Sequence, residues 1–216
     1  MKPTKFFLIA LCLMFNLPGR AQTIDSYFVD MPAIILPGLS SSMRLELTEY
    51  YKSEGRDSIR NQFGYNVHLL ALDTVSGYIS LQTASNARFE MKTLLRNDTS
   101  VVLVVIRTVC GPVCSSYIHF YDKSWNELKM DLPKLSNRDW LKNPEEMVNG
   151  EKVENILRTS FIELTINPLD NTVEARNNSV EYLSLEDKIT VRTFVKKENI
   201  IFTFSSDGSW KQISAI

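Results

Sequence analysis

Apolar positions along this chain switch between two periods, and the switch occurs in both halves. Met43, Leu47, Tyr50 and Tyr51 recur at i, i+4, i+7 and i+8, which predicts an amphipathic helix over residues 42–54 ending at Gly55. Beyond it, short runs rich in β-branched and aromatic residues predict strands over 67–72, 78–83, 89–94, 101–110 and 114–121. The second half opens helically again: Ser136 and Asp139 fit a capping pattern, and Asn143-Pro144-Glu145-Glu146 places a cap, a first-turn proline and two acids at a helix start. Asn149-Gly150 is expected to split this stretch into two short helices, the second carrying Val153, Ile156 and Leu157 on one side. Strands follow over 161–166, 172–176, 188–195 and 200–205, and their short connections imply antiparallel neighbours.

The two halves share more than element order. Tyr78-Ile79-Ser80-Leu81 returns as Phe161-Ile162-Glu163-Leu164, Phe89-Glu90-Met91-Lys92 as Val173-Glu174-Ala175-Arg176, and Ile106-Arg107-Thr108-Val109 as Val191-Arg192-Thr193-Phe194, at offsets that grow only from 83 to 85. Ser124-Trp125 returns as Ser209-Trp210. The expected fold class is α+β: two tandem repeats, residues 22–128 and 129–216, each with short helices followed by an antiparallel β-meander, packed into one body.

Alternation within strands separates a buried side from a wet one. At offset 85, Tyr117 and His119 stand against Phe202 and Phe204, whereas Ile118 and Phe120 stand against Thr203 and Ser205. The second copy thus reads as aromatic inside and hydroxylic outside, and the first copy has apolar groups at both. The run Val101 to Ile106 is likewise apolar on both faces. Such a face calls for a cover, either internal (the segment 27–36 or a helix of the second half) or a partner. On the partner reading the contact set is Ile118, Phe120, Val102 and Val104, with Tyr117 and Phe202 as core counterparts; Trp140, the tryptophan without a repeat equivalent, is a further exposed contact.

Residues 1–21 combine Lys2 and Lys5, an apolar run from Phe6 to Leu17, and Gly19 and Ala21 before Gln22, the pattern of a cleaved secretory signal. The apolar run is shorter than the roughly 20 residues that span a bilayer, and the mature chain offers no transmembrane segment. A lipid anchor at Cys12 is disfavoured by Leu11 before it. Without the leader the net charge is about −4, which argues against nucleic acid. Cys110 and Cys114 then form an even pair in an exported chain, which predicts a disulfide across Gly111-Pro112-Val113 that stabilises by about 2 kcal/mol. With only His68 and His119, metal and acid–base chemistry have little to draw on, and no catalytic residue, metal ligand or cofactor is assigned. His119 reads as a core histidine and His68 as half-exposed. The acid pairs Glu145-Glu146 and Glu186-Asp187 sit where helix starts and turns place acids, and Asn97-Asp98-Thr99 and Asn177-Asn178-Ser179, which fit the glycosylation pattern, read first as turns.

Phe28-Val29-x-Met31-Pro32, Leu36-Pro37, Thr108-x-Cys110-x-Pro112 and Ser116-Tyr117-Ile118-His119-Phe120-Tyr121-Asp122-x-x-Trp125 resemble an uncharacterised family of exported proteins of Bacteroidales. The resemblance implies export and a bacterial source, and transfers no site residues. In architecture, helices followed by a four-strand meander, twice, look like the β-lactamase inhibitory protein with its concave protein-binding face. The expected function is noncatalytic: a periplasmic or extracellular protein whose apolar sheet face binds a protein or cell-envelope component. The alternatives are an envelope hydrolase that uses paired carboxylates on glycan or lipid, and a carrier of an apolar ligand.

Overall fold

The computed structural model describes residues 22–130 and 132–213; the expected leader lies outside the described residues. Helix α1 (Ile24–Asp30) and helix α2 (Ser41–Glu54) precede six strands, β1 (Ser58–Arg60), β2 (Asn66–Asp73), β3 (Tyr78–Ala84), β4 (Ala87–Leu95), β5 (Val101–Cys110) and β6 (Cys114–Asp122). These pair antiparallel in sequence order to make one six-stranded sheet. The second half adds a 3-10 turn at Asn137–Trp140, a hairpin of β7 (Met147–Val148) and β8 (Glu151–Lys152), and helix α3 (Val153–Leu157). Strands β9 (Ile162–Ile166) and β10 (Thr172–Asn177) follow, then helix α4 (Leu185–Val191) between 3-10 turns, and strands β11 (Ile200–Phe204) and β12 (Trp210–Ile213). Strands β9 to β12 form an antiparallel four-stranded sheet in sequence order. The α+β class with antiparallel sheets holds.

Three layers result, with the six-stranded sheet in the middle. On one side α1, α2 and the segment between them bury Phe28, Met31 and Leu47 against Leu81, Met91, Leu103 and Val105. On the other, Val102, Val104, Ile106 and Phe120 pack with Leu164, Ile166, Val173, Phe202, Phe204 and Trp210 of the four-stranded sheet. A strand buried on both faces has no polar side to show, which is why β5 is apolar from end to end. The second sheet has only one covered face, and there the alternation is clean: Phe202 and Phe204 are buried while Glu174 and Arg176 on β10 are exposed. Its aromatic side lies against the first sheet.

Local signals explain the helix ends. Ser40 caps α2 by accepting from the Met43 N–H, and Gly55 closes it at φ 68°. Arg44 of α2 is fully buried, and its guanidinium donates to the carbonyl oxygens of Leu39, Val29 and Met31, so one side chain satisfies the backbone where α1 ends. The Ser136–Asp139 cap is present, the Asp139 carboxylate accepting from the Ser136 N–H at 2.8 Å. α3 buries Val153 and Leu157 as expected.

Two expectations are corrected. Residues 188–195 form no strand; they lie in α4 and the 3-10 turn after it, because Ser184 caps the Asp187 N–H and two acids, Glu186 and Asp187, stand in the first turn. The offset match therefore coincides strand on strand at β3–β4 with β9–β10 and at β6 with β11, and fails at the counterpart of β5, where β10 pairs directly with β11. Asn149-Gly150 separates strands, not helices: both residues have positive φ, 52° and 81°, the geometry of a two-residue hairpin turn, and β7 and β8 pair across it. The side chains of the two large sheets meet face on in one core, so they do not form the shared concave surface of the β-lactamase inhibitory protein.

Candidate functional site

The residues chosen from sequence as a contact set come together, but inside. Val102, Val104 and Phe120 are buried under the second sheet, and Ile118 is half-buried at the margin of the same core. Their cover is internal, the second sheet packing on them. Trp140 is 2% exposed, its Nε1 donating to the Glu198 carbonyl oxygen, and is a core anchor, not an exposed contact. Tyr117, expected in the core, is 66% exposed, and His119 is half-exposed with Nδ1 2.9 Å from Glu127 Oε1. Both lie on the helix-side face near the sheet edge, beyond the reach of α1 and α2. Phe202 is buried as expected, Cys110 and Cys114 are disulfide-bonded at the β5–β6 turn, and Trp210 packs on Phe120 and Phe204. Asn177, in the second glycosylation-like triplet, is the last residue of β10, not a turn residue, and donates to Asn137 Oδ1.

Sequence reasoning missed a charged cluster at the seam of the two sheets. Glu90 on β4 is 2% exposed; its carboxylate accepts from the Tyr78 hydroxyl at 2.9 Å and from Arg88 Nε at 3.2 Å. Arg88 reaches on to Glu163 of β9, whose other oxygen accepts from the Asn178 side chain. Burial is the first cause that raises the Glu90 carboxyl above its ordinary value, opposed by Arg88, Tyr78 and the Ile166 N–H. Burial likewise pushes the Tyr78 hydroxyl up to about 12. Beside them the Leu164 N–H donates to Ser116 Oγ, and the buried Lys92 donates to the carbonyl oxygens of Ser76 and Pro168. β9 is the free edge of the second sheet, and these side chains satisfy its outward amides where it crosses the first sheet. Its polar atoms are engaged with one another, so the cluster reads as structural cement. No sequence signal marks it, because the groups that close it from the other side, Glu163, the Ile166 N–H and the Pro168 carbonyl, lie in the other half of the chain.

One surface feature that the core does not explain is a groove of about 430 Å³ between the β7–β8 hairpin, α3 and α4. Val148, Ile156 and Leu183 give it an apolar floor, and Tyr182 stands at its side. α4 reaches the core through Val191 and leaves Leu185 (75% exposed) and Ile189 (68%) one turn apart on its open side. The rim carries Glu151, Glu186 and Asp187 against one cation, Arg158. Neighbouring cations are engaged elsewhere: Arg138 and Lys152 by Glu145, and Lys188 and Arg192 by Glu181. Those contacts hold the carboxyls of Glu145 and Glu181 below their ordinary values, each led by its lysine. Asp187 accepts from the Ser184 hydroxyl at the helix start. Among the described residues no group of three or more His, Cys, Asp or Glu could hold a metal ion.

A family model described as protein of unknown function (DUF3256) matches residues 17–208. The chain belongs to that family. A solved structure, of a domain of an uncharacterized protein from Porphyromonas gingivalis W83, is similar to it with a TM-score of 0.75 and 21% identity, covering 89% of this chain and 98% of that one. At that identity the likeness shows a shared fold. No curated protein matches the sequence. For this DUF3256 member no helix among the described residues is long and apolar enough to cross a membrane.

Proposed function

We propose that this protein is a noncatalytic binding protein working outside the cytoplasm, and that the groove beside α4 receives its partner. The leader-like start and the Cys110–Cys114 disulfide support an exported protein. The observation that carries the binding reading is the open groove with Val148, Ile156 and Leu183 in its lining, next to a helix that leaves Leu185 and Ile189 exposed on an adjoining face. A hydrolase is less well supported, since the acids on the groove are a helix cap and rim charges, and the one carboxyl raised by burial, Glu90, is sealed in the seam. A carrier of an apolar ligand would need an enclosed apolar cavity, and the groove is open with a charged rim.

The test is site-specific photo-crosslinking in the native host, with the crosslinker at position 189 and, as a control, at the still more exposed Val75 on the turn between β2 and β3. A discrete adduct from 189, absent from 75 and lost in Leu185→Asp, is the expected result. Adducts that do not distinguish the two positions would refute the placement of the site.

A further inference from the structure

The chain leaves β10 through the 3-10 turn at Ser179–Tyr182 and later runs from the end of α4 to β11, and between these stretches lies a notch of about 130 Å³. Four cations from separate parts of the sequence line it, Arg176, Arg192, Lys196 and Lys197, against one carboxylate, Glu181. Backbone contacts gather them: Ala175 pairs with Ile200 beside Arg176, the Lys196 N–H donates to the Trp140 carbonyl oxygen, and the Lys142 N–H donates to that of Phe194. Buried Trp140 and Asn178 are the fixed wall, Trp140 Nε1 donating to the Glu198 carbonyl oxygen and Asn178 Nδ2 to that of Cys114. Glu181 is shared by Lys188 and Arg192, Glu174 accepts from Asn199 Nδ2, and the exposed Glu198 is not part of the lining. Lys196 directs one of its three donors to the Asp139 carbonyl oxygen. Arg176 and Lys197 make no ion pair among the described residues. Like charges gathered around one notch repel each other, and an anion placed among them relieves that repulsion.

We propose that this notch binds a phosphate monoester group. Size sets the first limit: a drug-sized ligand fills a pocket of roughly 300–1,000 Å³, so the notch suits one anionic group and not a whole molecule. Charge and geometry set the second. A phosphate monoester brings about −1.5 to −2 of charge and three acceptor oxygens, more than a carboxylate offers, and the guanidinium forks of Arg176 and Arg192 match phosphate oxygens while Lys196 and Lys197 add point charges. A long polyanion such as nucleic acid would also meet the rest of a surface whose net charge is negative, whereas a single phosphate meets only the notch. The site shares no lining residue with the groove beside α4 and stands without it. The phosphate can be carried by a soluble ester or by a lipid headgroup.

The experiment titrates the mature chain with glycerol 3-phosphate and, separately, with acetate at constant ionic strength, following affinity by calorimetry and location by amide chemical shifts. The expected result is saturable binding of the phosphate ester, at least tenfold tighter than acetate, with shifts centred on residues 176–181 and 192–199. Arg176→Gln with Lys197→Gln should weaken it at least tenfold; both side chains are exposed, and an unchanged thermal midpoint verifies that the variant folds. Leu185→Ala with Ile189→Ala, outside the notch, should leave the affinity as it is. Vesicles of phosphatidic acid in phosphatidylcholine, against phosphatidylcholine alone, separate the two carriers. Sedimentation with the first only, lost in the Arg176 and Lys197 double variant, shows that a lipid-borne phosphate is also taken, and no sedimentation assigns the site to the soluble ester. Equal affinity for acetate and the ester, shifts that do not saturate, or binding that the double variant retains would each overturn the proposal.

Discussion

Strand β5 and the end of helix α4 with the 3-10 turn after it carry matching stretches, Ile106-Arg107-Thr108-Val109 and Val191-Arg192-Thr193-Phe194, yet one runs through a sheet and the other closes a helix. The contrast shows where local sequence decides and where packing does. β5 is preceded by a tight turn from Arg96 to Ser100 and is apolar on both faces, so the only stable place for it is between two layers. α4 is preceded by Ser184 and two acids, which satisfy the first amides of a helix and favour its dipole before any tertiary contact forms. At the same topological position, between the second and third strands of a meander, the first half has a short loop and the second half has two 3-10 turns and a helix.

Substitutions can break that contrast, and the largest effect belongs to the buried side. Phe120→Ala, which empties the contact with Trp210, should cost about 3–5 kcal/mol in denaturant unfolding; a cost near zero would mean that the two sheets do not share a core. Glu90→Gln sharpens the account of the seam through pH. The folded-state pKa of Glu90 is raised, so its contribution to stability is fully present below the ordinary value of 4.5 and is lost as pH rises through the folded value. The stability of the wild type relative to Glu90→Gln should therefore fall as pH rises above 4.5, and a rising difference would reverse the assignment. Ser184→Ala should cost about 1 kcal/mol by removing the α4 cap, measurable as faster amide exchange at Asp187. Smallest is Leu185→Ala with Ile189→Ala, within about 0.5 kcal/mol of the wild type in thermal melts, because neither side chain is packed.

The layout of the first half was legible because each element announces itself locally. The helical spacing of Met43, Leu47 and Tyr51 gave α2 to within a residue, the run from Val101 to Cys110 gave β5, and the paired cysteines gave the hairpin disulfide. α4 was hidden because Ile189 and Val191 also alternate as a strand would, and the cap before them was outweighed by the apparent repeat. The candidate site was misplaced for a related reason. Sequence showed correctly that the face bearing Val104 and Phe120 needs a cover, but which segment supplies it is a long-range fact, set by Phe202, Trp210 and their neighbours. The groove itself arises from how α4 and the β7–β8 hairpin lie together, and no spacing of residues encodes that.

A last consequence follows from β5 being greasy on both sides. Val104 and Val105 are neighbours in the chain but belong to different cores. Sliding the strand by one residue would swap one set of aliphatic groups for another, so oiliness alone barely penalises the slip. The alignment must be enforced by what is not aliphatic: Arg107 donating to the Ile35 carbonyl oxygen, Thr108 meeting Ser116 at 2.8 Å, and the sulfur bridge that locks Cys110 opposite Cys114. The small disulfide and two polar side chains thus act as the ratchet that keeps both cores filled with their own residues.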